Sequence, residues 1–204
     1  MAGTGAAVRH WAYMNMLTDS HDVVTADWAA ALLDFWFNQV GEAGWWSHDP
    51  DMDRTCAIRF QALWQAKQAM PAPAFLGRAD DALAAILLFD QLPRNMFRGT
   101  AQAFATDALA RDVARGAIAQ GYDIQIGGAG RLFFYMPFQH SEAIEDQDLS
   151  LTLFEGAGDE KSLDFARRHH ATIASFGRFP HRNAVLGRDT LPEEARAVAE
   201  GERW

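Results

Sequence analysis

Apolar residues recur at three- and four-residue spacings along most of this chain, the period of an amphipathic helix. In "TADWAAALLDFWFNQ" (25–39), Trp28, Leu32, Phe35 and Trp36 fall on one helical stripe, with Thr25 or Asp27 placed to cap it. "DPDMDRTCAIRFQALWQAKQAM" (49–70) opens with a proline suited to a first helical turn and carries Met52, Cys56, Phe60, Leu63 and Trp64 on its apolar face. "DDALAAILLFDQ" (80–91) is apolar nearly all round, which predicts the most buried helix. "ATDALARDVARGAIAQG" (105–121) reads as a Thr106-Asp107 cap, a helix and a terminating Gly121. Two further patterns put Ile144, Leu151 and Phe154 on one face of 141–156, and Leu163, Ala166, Ile173 and Phe176 on one face of 159–177. "TLPEEARAVAEG" (190–201) predicts a short last helix capped by Thr190, with acids in its first turn.

Only "YDIQIGG" and "RLFFYM" resemble strands, and the glycines between them (Gly127, Gly128, Gly130) mark a loop. The expectation is an all-α domain over 25–204, with 1–24 as an N-terminal extension of no clear periodicity. Composition agrees: 204 residues, 49% hydrophobic and 22% charged, suit one globular core. The single cysteine, Cys56, excludes an internal disulfide framework or a multi-cysteine zinc site. No apolar run approaches the roughly 20 residues that span a bilayer, and no secretory leader is evident, so the expected setting is cytoplasmic with no membrane partner. The net charge of −9 argues against general nucleic-acid binding.

Chemistry gathers at three punctuated turns. "FDQLPRN" (89–95), "YMPFQHSE" (135–142) and "FGRFPHRN" (176–183) each place a proline after an apolar residue, among dense polar side chains. Because the residue before a proline is pushed out of the helical region, Leu92 and Phe179 are expected at helix ends. The second turn is expected to lead into a helix near 137–141. Arg94, Arg178 and Arg182 can cap exposed helix carbonyls; alternatively the turns converge and line a pocket. Eight acids and one lysine occupy 142–164, then five arginines, three histidines and no acid occupy 165–188, so neighbouring helices of opposite charge are expected to pair. Sixteen arginines against two lysines fit either genomic composition or use of the bidentate guanidinium fork.

The segments "LLDFWF", "IRF", "AILLFDQLPRNMFRGTAQAFATD", "RLFFYMPFQHSE", "EDQDLSLTLF" and "FGRFPHRNAVLGRDT", in this order over about residues 30–195, resemble the bacterial domain-of-unknown-function 924 family. The resemblance implies an all-α array of antiparallel helix pairs similar to tetratricopeptide repeats, and no activity. Its motif members here are Asp90, Gln91, Pro93, Arg94, Asn95, Arg98, His140, Ser141, Glu142, Arg178, Pro180, His181, Arg182, Asn183 and Arg188.

Three functions fit these residues. The first is a pocket for a small anion, a carboxylate or phosphate, lined by Arg94, Asn95, Arg98, Arg178, His181, Arg182, Asn183 and Arg188. The second is a hydrolase or lyase in which His140 moves a proton, Glu142 or Asp90 orients it, and arginines stabilise negative charge. The third is a scaffold whose groove binds an acidic peptide. Ser141 lacks the glycine elbow of an exposed nucleophile and suits a cap. Glu142 and Asp146 share a helix face, with His169 or His170 following. The i, i+3 Glu–His spacing of paired-helix metal sites is missing, so neither a metal nor a cofactor is expected.

Overall fold

The structure, a computed structural model, describes residues 27–200; the extension expected over 1–24 lies outside the described residues. Among the described residues all regular structure is helical. The longer elements are α1 (Trp28–Leu33), α2 (Gly41–Trp45), α3 (Pro50–Lys67), α4 (Ala79–Ile86), α5 (Leu92–Met96), α6 (Asp107–Ala119), α7 (Tyr122–Ile126), α8 (Gly128–Gln139), α9 (Ile144–Ala157), α10 (Glu160–Phe176) and α11 (Pro192–Ala199). α8, α9 and α10 are joined by short turns and pack as successive neighbours, whereas α3 packs on α5, and α4 on α1 and α6.

The all-round apolar segment is the central helix: residues from Ala82 to Asp90 are all buried. Leu92 is not its end. The chain widens into a π-helical turn over Leu87–Gln91, where the Leu92 N–H reaches back to the Leu87 carbonyl, and continues into α5. Pro93 has no N–H to give. The Phe89 carbonyl takes the Thr106 hydroxyl at 2.7 Å instead, and the Asp90 carbonyl takes Arg94 Nη1. Side-chain donors, the tertiary Thr106 hydroxyl and the local Arg94 guanidinium, serve these carbonyls, so the helix passes through the proline. Phe179 lies where a helix end was expected, two residues beyond Gly177, which closes α10 in the left-handed conformation.

Other expectations need correction. The segment read as a glycine loop forms α7 and α8, and Gly127, with a φ of +63°, separates them. Pro137 sits inside α8, so the second turn follows a helix rather than starting one. Thr106 does not cap α6, because its hydroxyl is turned to Phe89 and accepts from Trp64 Nε1. Thr190 does not cap α11, whose leading N–H, that of Leu191, is taken by Glu194. On α9 the buried positions are Gln147, Ser150 and Phe154, while Ile144 is exposed. Polar residues occupy that face because Gln147 Nε2 donates to the carbonyls of Gln139 (2.8 Å) and Ser141 (2.6 Å) at the frayed end of α8.

Candidate functional site

The π turn carries Asp90 to the end of the central helix with no exposed surface. Its carboxylate accepts from Gln91 Nε2 at 2.6 Å, faces His140 Nδ1 at 2.8 and 3.0 Å, and lies 3.3 Å from Arg94 Nη1. Burial pushes the Asp90 pKa up, but Arg94, His140 and Gln91 outweigh it and hold the carboxyl ionised, well below the usual range. Arg94 spends its Nη1/Nη2 edge on Asp107, at 3.0 and 3.1 Å. His140 is kept neutral, mainly by burial and also by Arg94. With Nδ1 facing an ionised carboxylate, that nitrogen carries the proton and Nε2 presents a lone pair.

Arg182 closes over this pair from the loop after α10. Its Nη1 donates to the His140 carbonyl at 3.0 Å and lies 3.8 Å from Asp107. The guanidinium carbon stands 4.3 Å from the Phe179 ring centre and 4.7 Å from that of Phe104. Arg182 is 6% exposed, and its Nε is buried with no hydrogen-bond partner among the described residues. Burial, reinforced by Arg94, pushes its pKa down to about 10. Its neighbours therefore do not fully repay the desolvation of the cation.

His169 on α10 joins this cluster, its ring centre 6.3 Å from that of His140 and 5.4 Å from that of Phe179. Nδ1 lies 2.8 Å from the Phe165 carbonyl and 3.2 Å from the Gln139 side-chain amide; a carbonyl can only accept, so the shorter contact makes Nδ1 the donor and leaves the lone pair on Nε2. Burial and the neighbouring His140 push the His169 pKa down to about 3. His181 is exposed at the rim, stacked at a tilt 5.7 Å from Phe179.

The other candidates do not reach this place. Glu142 accepts from Arg188 at 2.7 and 3.0 Å and from the Phe179 N–H at 2.8 Å. It is thus committed to the loop and does not orient His140. Arg178 places Nε and Nη2 on Glu194 at 2.6 and 2.9 Å, and Asn183 adds Nδ2 at 3.0 Å. Asn95 and Arg98 both bind Asp53 of α3. The stretch 176–190 therefore divides its work: Arg178, Asn183 and Arg188 fasten the C-terminal segment, and Arg182 alone of its arginines meets His140.

The expected pairing between helices of opposite charge is also largely redirected. Arg168 pairs with Asp164 and Arg167 with Glu160 on their own helix, while Asp146 of α9 goes to Arg111 and Arg115 of α6. Only His170–Asp148 links α9 to α10 by charge. Ser141 gives its hydroxyl to Asp146 and accepts from the Ala143 N–H. Among the described residues no three His, Cys, Asp or Glu side chains are arranged to hold a metal. Among the described residues no helix is long and apolar enough to cross a membrane. An apolar groove of about 250 Å³, lined by Leu33, Phe37, Leu83 and Ile126 among others, shares no residue with the polar cluster.

Sequence reasoning passed over Asp107 and Glu194 and weighed His169 only as a metal ligand. Asp107 was legible as a helix-start acid, and Glu194 as a first-turn acid. Neither pattern reveals a partner 13 or 16 residues away.

The model of a family of bacterial proteins of unknown function, DUF924, matches residues 32–202. A solved structure of a protein of unknown function from Agrobacterium tumefaciens is 41% identical, with a TM-score of 0.82 over 87% of this chain and 99% of that one. No curated protein matches the chain.

Proposed function

The chain belongs to the DUF924 family, and from that premise and its own polar cluster we propose that it binds a small anion at Arg182, beside the Asp90–His140 pair. The observation that carries this reading is the Nε/Nη2 edge of Arg182. Elsewhere in the molecule, Arg178 and Arg98 each fill that same edge with a carboxylate. Among the described residues, Arg182 Nε is buried and unpartnered and Nη1 alone is engaged; Arg188 Nε is buried without a partner too, but both of its Nη atoms hold Glu142. A buried donor without an acceptor is costly, and an anion that takes Nε together with the adjoining Nη2 relieves that cost.

The Asp90–His140 geometry adds a second reading, in which His140 Nε2 accepts a proton from the bound molecule or from water. Asp90, not Glu142, orients the ring and would stabilise the imidazolium. The acidic-peptide scaffold draws less support, because Arg98, Arg178 and Arg188 already hold the protein's own carboxylates. A cytoplasmic setting stays part of the proposal and fits the lone, buried Cys56 thiol.

The test is a thermal-shift titration of the full chain with acetate, propionate, lactate and inorganic phosphate, beside Arg182→Lys, which keeps a charge but loses the fork. At 100 times Kd, binding adds about 2.7 kcal/mol, roughly 5–11 °C for a chain of this size. A shift in the wild type that is lost in the folded variant supports the site. No shift with any anion, or equal shifts in both proteins, removes it. For the second reading, His140→Gln should keep the binding shift and abolish any turnover of the bound anion followed by NMR; turnover that survives excludes His140.

A further inference from the structure

Resting on the anion site just proposed, we infer that its ligand is a small monocarboxylate bearing a hydroxyl group. The carboxylate takes the Nε/Nη2 edge of Arg182, and the hydroxyl donates its one proton to the imidazole lone pair of His169, beside His140.

The charge balance sets the ligand's charge. Arg94 and Arg182 contribute two positive charges, Asp90 and Asp107 two negative ones, and the cluster sums to zero while the histidines are neutral. Both carboxylates sit closest to Arg94, at 3.3 and 3.0 Å, and Asp107 is 3.8 Å from Arg182, so a ligand on Arg182 adds its own charge to a neutral cluster and a single charge costs least. A phosphate dianion would leave a second charge unmatched among buried groups. The donor set points the same way. One planar two-donor edge matches the two oxygens of a carboxylate, as Glu194 on Arg178 and Asp53 on Arg98 illustrate.

The two imidazoles set the ligand's other feature. Asp90 fixes the proton of His140 on Nδ1, and the Phe165 carbonyl does the same for His169. Both Nε2 atoms are therefore acceptors, within rings whose centres are 6.3 Å apart. Neither accepts a hydrogen bond from a described residue. Phe179 touches both His169 and the Arg182 guanidinium, which puts acceptor and cation on one neighbourhood. An acceptor beside a cation cannot serve a second anionic oxygen; it is satisfied by a donor. An ammonium would meet the Arg94 and Arg182 charges, whereas a neutral hydroxyl does not.

The test compares four probes on the full wild-type chain by calorimetry at pH 7.5: lactate, propionate, alanine and inorganic phosphate. Lactate and propionate differ only in the hydroxyl. The expected result is at least tenfold tighter binding of lactate than of propionate, with alanine and phosphate weaker than lactate. His169→Phe should reduce the lactate advantage to about threefold or less while leaving propionate binding intact, and His169→Gln, which keeps an acceptor, should restore part of it. Equal binding of lactate and propionate, or tightest binding of phosphate or alanine, overturns this inference and leaves the anion site standing. Binding of none of the four overturns both. The wild-type comparison decides the matter even if a variant fails to fold.

Discussion

Lowering the pH from 7 to 5 should destabilise the native state by about 2 kcal/mol through His169 alone. The ring is nearly buried between Phe165, Phe179 and His140, and its pKa is pushed from 6.5 down to about 3. The unfolded chain takes up a proton at this position below pH 6.5, and the folded chain does not until near pH 3. The contribution of a neutral His169 is thus fully present above 6.5 and falls by about 1.36 kcal/mol per pH unit below it. For any folded pKa below about 4 the loss at pH 5 is nearly the same, and in a chain of this size it corresponds to roughly 4–8 °C. The interval lies above the range in which ordinary carboxylates titrate. His140, also held below its usual pKa, shifts stability in the same direction, so a variant must isolate His169. His169→Gln has no titratable group, and its amide can still donate to the Phe165 carbonyl. Urea unfolding of both proteins at pH 7 and pH 5 should show the wild type losing about 2 kcal/mol more than the variant. Parallel losses would refute the reasoning, because His169 would then take up a proton as readily folded as unfolded.

Asp90→Asn keeps the shape of the side chain but leaves Arg94 half-neutralised, and should cost about 3 kcal/mol in urea unfolding; a loss under about 1 kcal/mol would show that the Asp90 charge is not what Arg94 and His140 rest on. Thr106→Val strands the Phe89 carbonyl and the Trp64 indole N–H, with an expected cost of about 1–3 kcal/mol; an unchanged denaturation midpoint would mean that the helix satisfies Phe89 without it. Glu194, held down to about 2 chiefly by Arg178, fastens Arg178, Asn183 and the start of α11. Its contribution is present above pH 4.5 and fades as pH falls toward 2, and Glu194→Gln should speed proteolytic cleavage within 184–191 at pH 7. Unchanged cleavage would return the fastening to the other contacts of that loop.

Helical class and most core positions were legible because helix periodicity is local: Trp28, Leu32, Phe60, Trp64, Leu163 and Ala166 declare their faces within a few residues of themselves. The family resemblance rested on the same short motifs. The misreadings fall where a distant partner replaced a local rule. Pro93 would end a helix in isolation, but the distant Thr106 hydroxyl supplies the Phe89 carbonyl with the donor that it withholds. Ile144 lost the inward face of α9 because Gln147 is needed at the end of α8.

In the candidate site the division is sharper. The chain by itself specified which chemistry was present: three polar turns, an arginine surplus, and a histidine within three residues after each of two prolines. Which guanidinium meets which carboxylate was decided only by tertiary packing. Arg178, Arg182 and Arg188 occupy one stretch and are the same residue type, yet they end on Glu194, His140 and Glu142. A long, flexible, charged side chain has many reachable partners. Only the assembled helices, which bring residues 42 to 50 positions apart into contact, leave Arg182 with an unfilled edge beside His140.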